Sequence, residues 1–497
     1  MSKPSKPLSL PSTSSGNDRL SAAAHINTVM KQCIEPEDET IPGPSSLELL
    51  FSIPRIQRNP LAYLAACARR YGDLARFKAG DEIACFVNSP GAIKRVLQDN
   101  HRNYTKDTIQ YHQLATVAGR GLLTSDGEEW LSHRRLMQPA FHPKRIEQMQ
   151  AAISSATATM LERWRARQAA GALNVDIDAE MLRLTLHIAG LTLFSIDLGR
   201  EAPRLTQAIL TALDHIVYRA SNFLALPDRI PTPRNRRFRA ALATLDDAVR
   251  DLIDARRRQD TRGGLRPNDL LTALLNAVDA DTGQQLDDRA IRDEVLTLLI
   301  AGHETTASAL TWAWHLLATH PDAQEKLRRE IAQVIGARAP QYADLSRLTY
   351  CRQALEETLR LYPPAWLITR RARQPDQLDG RAIPAGAIVI ISPYIIQRHP
   401  AYWPEPDRFK PERFSSERAD HPWPRFAYIP FGAGPRVCIG QNFAVVEAML
   451  ILASVAQQFW FEPAQTRSAV TIAPLVTLRP RVQGRHGLRL RARHLQL

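Results

Sequence analysis

Apolar residues recur at helical spacing along most of the chain. The longest such run starts after Asp287-Asp288 and passes through Glu294, Ala301, Gly302 and Trp312 before Pro321. An aspartate N-cap and a proline stop predict one helix about 50 Å long, at about 1.5 Å per residue. Its apolar part, Leu296 to Ala318, has the look of a membrane span. His303, Glu304, Thr305, Thr306 and Ser308 at its centre would be costly in lipid, so the run reads as a helix crossing a protein core. A shorter helix is predicted from Pro60 to Arg70, ending before Tyr71-Gly72. Leu74 to Phe77 and Ile83 to Val87 are β-prone runs around Ala79-Gly80-Asp81, the pattern of a hairpin. Ala387 to Ser392 is the clearest other strand, and strands are expected to be few elsewhere. The fold class that follows is mainly α with a minor β part.

Polar residues inside an apolar helix need a reason, because buried carboxylates and hydroxyls cost free energy without partners. Ala301 and Gly302 remove side-chain bulk, so a flat cofactor and a diatomic ligand can approach the helix. Thr305 can divert helix hydrogen bonds and leave room for water, and Glu304 can relay protons. The alternative is a kinked core helix whose polar groups are simply satisfied. Far downstream, Phe431-Gly432-Ala433-Gly434-Pro435-Arg436-Val437-Cys438-Ile439-Gly440 sets a cysteine among glycines. Gly432 and Gly434 can take positive φ and fold the backbone around the sulfur. Gln441 to Leu450 reads as a helix whose positive end would further lower the thiol pKa. Cys438 is therefore a candidate metal ligand, against the plain reading of a small buried hydrophobe.

Three further patterns stand out. Trp130 and Arg134 lie four apart, on one helical face, able to meet one ligand together. Glu357 and Arg360 share a face of a helix that Pro363-Pro364 ends, and Pro411-Glu412-Arg413-Phe414 follows later. Trp366-Leu367-Ile368-Thr369-Arg370 places an arginine after apolar residues that suit a substrate cavity.

Together these stretches resemble the cytochrome P-450 family. Phe431, Gly434, Arg436, Cys438 and Gly440 match its haem-ligand loop, and Ala301 to Thr306 matches its oxygen-activating segment. The resemblance covers roughly residues 41 to 497 and implies one haem domain, with haem b between the long distal helix and the cysteine loop. It implies that Cys438 is the axial thiolate, whose electron donation favours O–O cleavage in this family. Trp130, Arg134, Arg370 and Arg436 would then neutralise the propionates, and Glu304 and Thr305 would manage proton delivery. Glu357, Arg360 and Arg413 would form the family's buried scaffold cluster. The activity implied is monooxygenation of a small apolar organic substrate by O2. The chain has no flavin, nicotinamide or iron–sulfur segment, so electrons would come from a separate ferredoxin or flavodoxin with its reductase. A peroxide-using or dioxygen-independent enzyme of the same fold is the alternative within enzymes. A non-catalytic haem-binding sensor is the alternative outside them.

Composition narrows the setting. With 44% hydrophobic and 23% charged residues over 497 positions, the chain suits a globular protein with a large core. There is no repeat or long Gly/Ser linker, so one domain from 41 to 497 is expected, after a flexible tail over 1–40 that holds no apolar run long enough for an anchor. The five cysteines, Cys33, Cys67, Cys85, Cys351 and Cys438, are odd in number and scattered, which points to a reducing compartment and a cytoplasmic protein. A formal charge of +13, with arginines at 234–237, 256–258 and 479–493, favours an acidic partner protein. The clusters lack the aromatic interleaving and zinc spacing of nucleic-acid modules, so no nucleic acid is expected.

Overall fold

A computed structural model describes residues 41–169, 173–222, 225–261, 267–278, 283, 285–415, 423–464 and 470–495. The expected tail and Cys33 lie outside the described residues. The long helix spans Asp288–Thr319, and the Asp287 side chain caps it by accepting from the Ala290 amide at 2.7 Å. His320 separates it from a second helix, Pro321–Val334, because a proline cannot extend the first. Nearly every residue of the long helix from Ile291 to Ala318 is buried, its main neighbour being the helix Ile177–Phe194. The main core gathers around these two helices, with Trp164 edge-on to Phe459 at 5.5 Å and to Phe461 at 6.1 Å.

The predicted hairpin is present as β1 (Leu74–Ala79) and β2 (Glu82–Val87), with Gly80 at φ +62° making the turn. Short strands β3 (Tyr104–Thr105) and β4 (Leu173–Asp176) follow. After the helix Thr349–Leu361 come β5 (Ile368–Ala372), β6 (Asp376–Leu378), β7 (Arg381–Ile383) and β8 (Ile388–Ile391). The C-terminal part holds β9 (Phe459–Pro463), β10 (Val470–Pro474), β11 (Leu478–Val482), β12 (Arg485–His486) and β13 (Arg489–His494). One sheet has the order β1-β2-β8-β5-β3, and smaller sheets join β10-β11-β12, β4-β13-β9 and β6-β7.

Strands are thus more numerous than expected. The excess lies in short segments whose charge hides their alternation: Leu490 and Ala492 face inward while Arg489, Arg491 and Arg493 face out. Two arginines of the basic clusters are not part of any exposed basic face. Arg479 and Arg256 are buried in ion pairs with Asp178 and Asp269. Cys67, Cys85 and Cys351 are buried free thiols. No described helix is long and apolar enough to cross a membrane.

Candidate functional site

The cysteine loop is built by hydrogen bonds and two left-handed glycines. The Cys438 amide donates to Phe431 O at 3.0 Å, and Gly432 and Gly434 take φ of +72° and +68°. Gly434 is required for a second reason: a Cβ there would stand 1.9 Å from Leu97 O. The helix Gln441–Ala456 starts at once, with Gly440 as its N-cap residue. Cys438 is exposed, yet the protein packed around it pushes its thiol pKa up. Burial is the largest cause of that shift, while a hydrogen bond from the Gly440 amide and the charge of Arg134 oppose it. The expected lowering of the pKa is therefore overturned for the chain alone. Desolvation wins over donors and dipole, and full thiolate character needs a bound cation.

Above this loop, side chains from four segments converge. The helix Gly127–Met137 brings Arg134, which donates to Val437 O at 2.7 Å, and Trp130, whose ring lies 4.2 Å from the Arg436 guanidinium. Arg436 donates to Ser125 O at 3.2 Å and pairs with Asp126. Arg370, on β5, donates to the Tyr111 hydroxyl at 2.8 Å. Lys106, just after β3, was not anticipated from sequence. It is buried, and its ammonium donates to Leu123 O at 2.7 Å. Burial, then Arg370 and Arg436, hold its pKa well below the ordinary lysine value, and burial brings Arg436 down to about 10. Of these four basic side chains only Arg436 is ion-paired, with Asp126, among the described residues, an excess of positive charge that fits a ligand carrying two negative charges. No motif flags Lys106; only the pairing of β3 with β5 brings it to Arg370.

On the long helix, the Thr305 hydroxyl donates to Ala301 O at 2.7 Å, the local back-bond expected to open the helix. A Cβ on Gly302 would make only an ordinary van der Waals contact, with Leu193 Cδ1 at 3.9 Å. Glu304 does not meet Thr305. It is buried on another side of the helix, where its Oε1 accepts from the Thr477 hydroxyl at 3.0 Å. Burial raises its pKa, against the charge of Arg479 and the Thr477 bond. Thr477 is held in place because Leu478 O accepts from Ser308 Oγ at 2.6 Å and from Trp312 Nε1 at 2.9 Å. That bond pair pins the β10–β11 hairpin to the long helix, with Leu475 and Val476 at its tip.

Glu357, Arg360 and Arg413 do come together, all buried. Arg360 holds both Glu357 oxygens at 2.6 and 2.8 Å, and Arg413 Nε donates to Oε1 at 3.0 Å. Arg360 also donates to Gln397 O at 2.9 Å. Gln397 in turn bonds Arg360 O and accepts from the Ile429 amide at 2.9 Å, two residues before Phe431. The cluster thus anchors the approach to the cysteine loop. Among the described residues, no group of three or more His, Cys, Asp or Glu side chains is arranged to hold a metal ion.

Comparison with known proteins agrees with this geometry. Residues 41–484 match the family described as Cytochrome P450. Cyclooctatin synthase of Streptomyces melanosporofaciens is 38% identical over 444 residues, covering 89% of this chain and 92% of that protein. Cyclooctat-9-en-7-ol 5-monooxygenase of the same organism is 35% identical, covering 88% and 93%. Pentalenene oxygenase of Streptomyces avermitilis is 33% identical, also covering 88% and 93%. The chain belongs to the cytochrome P450 family, and is an oxygen-inserting oxidoreductase that works with haem b.

Proposed function

We propose that this enzyme hydroxylates or epoxidises a small, largely hydrocarbon cyclic substrate with O2, using electrons from a separate acidic carrier protein. The observation that carries the reading is the cysteine loop with cations gathered beside it: Arg134 donates to Val437 O, Arg436 stacks on Trp130, and Lys106 is buried close to Arg370 and Arg436. These residues suit haem b. Cys438 would supply a thiolate to its iron, framed by Phe431 and by the backbone of Gly434 and Gly440. Lys106, Arg134, Arg370 and Arg436, the last stacked on Trp130, would meet its two propionates, and Ala301 with Gly302 would leave room for a flat ring. When bound, haem b supplies dioxygen binding and activation. The chain supplies the rest. Thr305 would offer a hydroxyl proton once it leaves Ala301 O, Glu304 would hold an exchangeable proton behind it, and the buried helix excludes bulk water.

The substrate class is supported by the relatives named for oxygenating pentalenene and cyclooctat-9-en-7-ol, and by the apolar hairpin tip at Leu475 and Val476. The carrier is supported by a surface cleft lined by Arg135, His142, Lys144 and Arg145. This cleft adjoins Phe141, the ring that a Cβ on Gly440 would contact at 3.7 Å. Its reduction rate should fall as salt rises. The deciding experiment is product and peroxide yield per electron in wild type and Thr305→Ala. Product should fall and peroxide rise in the variant while substrate binding and haem reduction survive. Equal yields would remove Thr305 from the mechanism, and a wild type active only with peroxide would favour a peroxygenase.

A further inference from the structure

Between the long helix and the β10–β11 hairpin, five side chains form a polar island inside the core: Asp178, His303, Glu304, Thr477 and Arg479, none more than 5% exposed. Arg479 Nη2 donates to Asp178 Oδ2, while its Nη1 stands 3.9 Å from Glu304 Oε1, beyond hydrogen-bond reach. Asp178 Oδ1, both ring nitrogens of His303, and Nε and Nη1 of Arg479 have no hydrogen-bond partner in the protein. So many unpaired buried atoms in one place suit a small group of ordered waters linking the three elements.

The charges can be counted. The island has two acids and one permanent cation, Arg479. His303 adds none at neutral pH, because burial, helped by Arg479, pushes its pKa down to about 3. Facing the same helix from Gln441–Ala456 is Glu447, another buried acid and no source of positive charge. One shell out, Asp176 adds negative charge near Asp178, and His486, beside Arg479 and Arg481, has a lowered pKa. Two ionised carboxylates would thus leave a buried negative charge without compensation. One proton removes it, and the contacts say where it sits. Asp178 has the guanidinium directly, whereas Glu304 has only a hydroxyl donor. Burial raises both pKa values, but Arg479 opposes the rise at Asp178 through a hydrogen bond as well as its charge.

We propose that Asp178 claims Arg479 and thereby leaves Glu304 as an uncharged, proton-holding acid behind the long helix. Asp178 and Arg479 are positioning residues that set the charge of Glu304. When Glu304 gives up its proton, Arg479 is close enough to steady the carboxylate left behind. The use of that proton in oxygen activation rests on the monooxygenase reading; the charge assignment does not.

Infrared difference spectra of the resting haem-loaded protein test it without turnover. Wild type at neutral pH should show a carboxylic-acid carbonyl band that Glu304→Gln removes. Asp178→Asn releases Arg479 to Glu304 and should lower the pH at which this band disappears by about 1–3 units, the usual effect of an adjacent opposite charge. Arg479→Met should keep the band to higher pH than wild type. Absence of a Glu304-dependent acid band in wild type overturns the proposal, and so does an unchanged titration in Asp178→Asn. The wild-type spectrum decides even if the Arg479 variant does not fold. Product per electron is measured in parallel and should fall in Asp178→Asn at equal haem content. The expected bands in a protein that inserts no oxygen would refute the monooxygenase reading and leave the charge assignment standing. Normal turnover without the bands would refute the assignment alone.

Discussion

Replacing Glu357 by glutamine keeps the shape of the side chain and removes its charge, so it isolates what the carboxylate does. Glu357 and Arg360 have no exposed surface, and Arg413 is 5% exposed. The carboxylate accepts two bonds from Arg360, one from Arg413 and one from the Lys410 amide at 2.9 Å. In Glu357→Gln, an amide N–H must face a guanidinium N–H, and two buried cations lose their counter-charge. Breaking one side of a buried pair costs about 3–5 kcal/mol. Single-domain proteins hold only about 5–15 kcal/mol in all. The variant should therefore lose about a fifth or more of its stability, read as a lower urea midpoint with an unchanged slope. Its haem content should fall in step, because Arg360 and Gln397 hold the backbone ahead of the cysteine loop. Loss of less than about 1 kcal/mol, the scale of an exposed ion pair, would refute this argument.

Other outcomes follow from single contacts. Cys438→Ala should abolish the thiolate-type absorption band of the reduced carbon monoxide adduct; a variant that keeps the band would refute the ligand assignment. Gly434→Ala should sharply lower the yield of haem-loaded protein, since its Cβ meets Leu97 O at 1.9 Å, whereas Gly432→Ala, with nothing within 4 Å, should cost only about 1–2 kcal/mol of left-handed strain. Equal yields of the two would show that the approach to Leu97 does not matter. In the haem-free chain, Lys106 binds fewer protons folded than unfolded, so its contribution makes stability rise with pH up to its ordinary value of 10.5. Lys106→Met should flatten that rise and weaken haem retention, and an unchanged stability–pH slope would show that Lys106 is not the strained cation.

What was legible in the sequence was whatever a short stretch encodes by itself. The long helix carries its own cap and stop, the cysteine loop its own glycines, and the pairs Trp130–Arg134 and Glu357–Arg360 their own helical spacing. Elements defined by partners were not legible. Strands β9 to β13 are short; β13 pairs with β4 and β9, farther back in the chain, and its Arg491 and Arg493 mask the inward Leu490 and Ala492. Lys106 looks like any surface lysine until β3 pairs with β5. Arg479 looks like one of a basic run until β11 lies against the long helix. In each case the deciding term is burial, which depends on residues far away in the chain.

The neighbours Glu304 and Thr305 show what such distant partners change. Adjacency in sequence suggests one acid–hydroxyl unit, but consecutive helical residues project about 100° apart. Thr305 turns back onto Ala301 O, on the stretch of the helix that lacks bulk at Gly302. Glu304 turns toward Thr477 and Arg479, whose strand is tied to the same helix through Ser308 and Trp312. The helix therefore separates a hydroxyl back-bonded to Ala301 O from an acid in a buried charge network. A proton passing between them must travel around the helix by way of water or a side-chain rotation. A rate that depends on that passage should answer to residues on β11 and on the helix Ile177–Phe194 as well as to the pair itself.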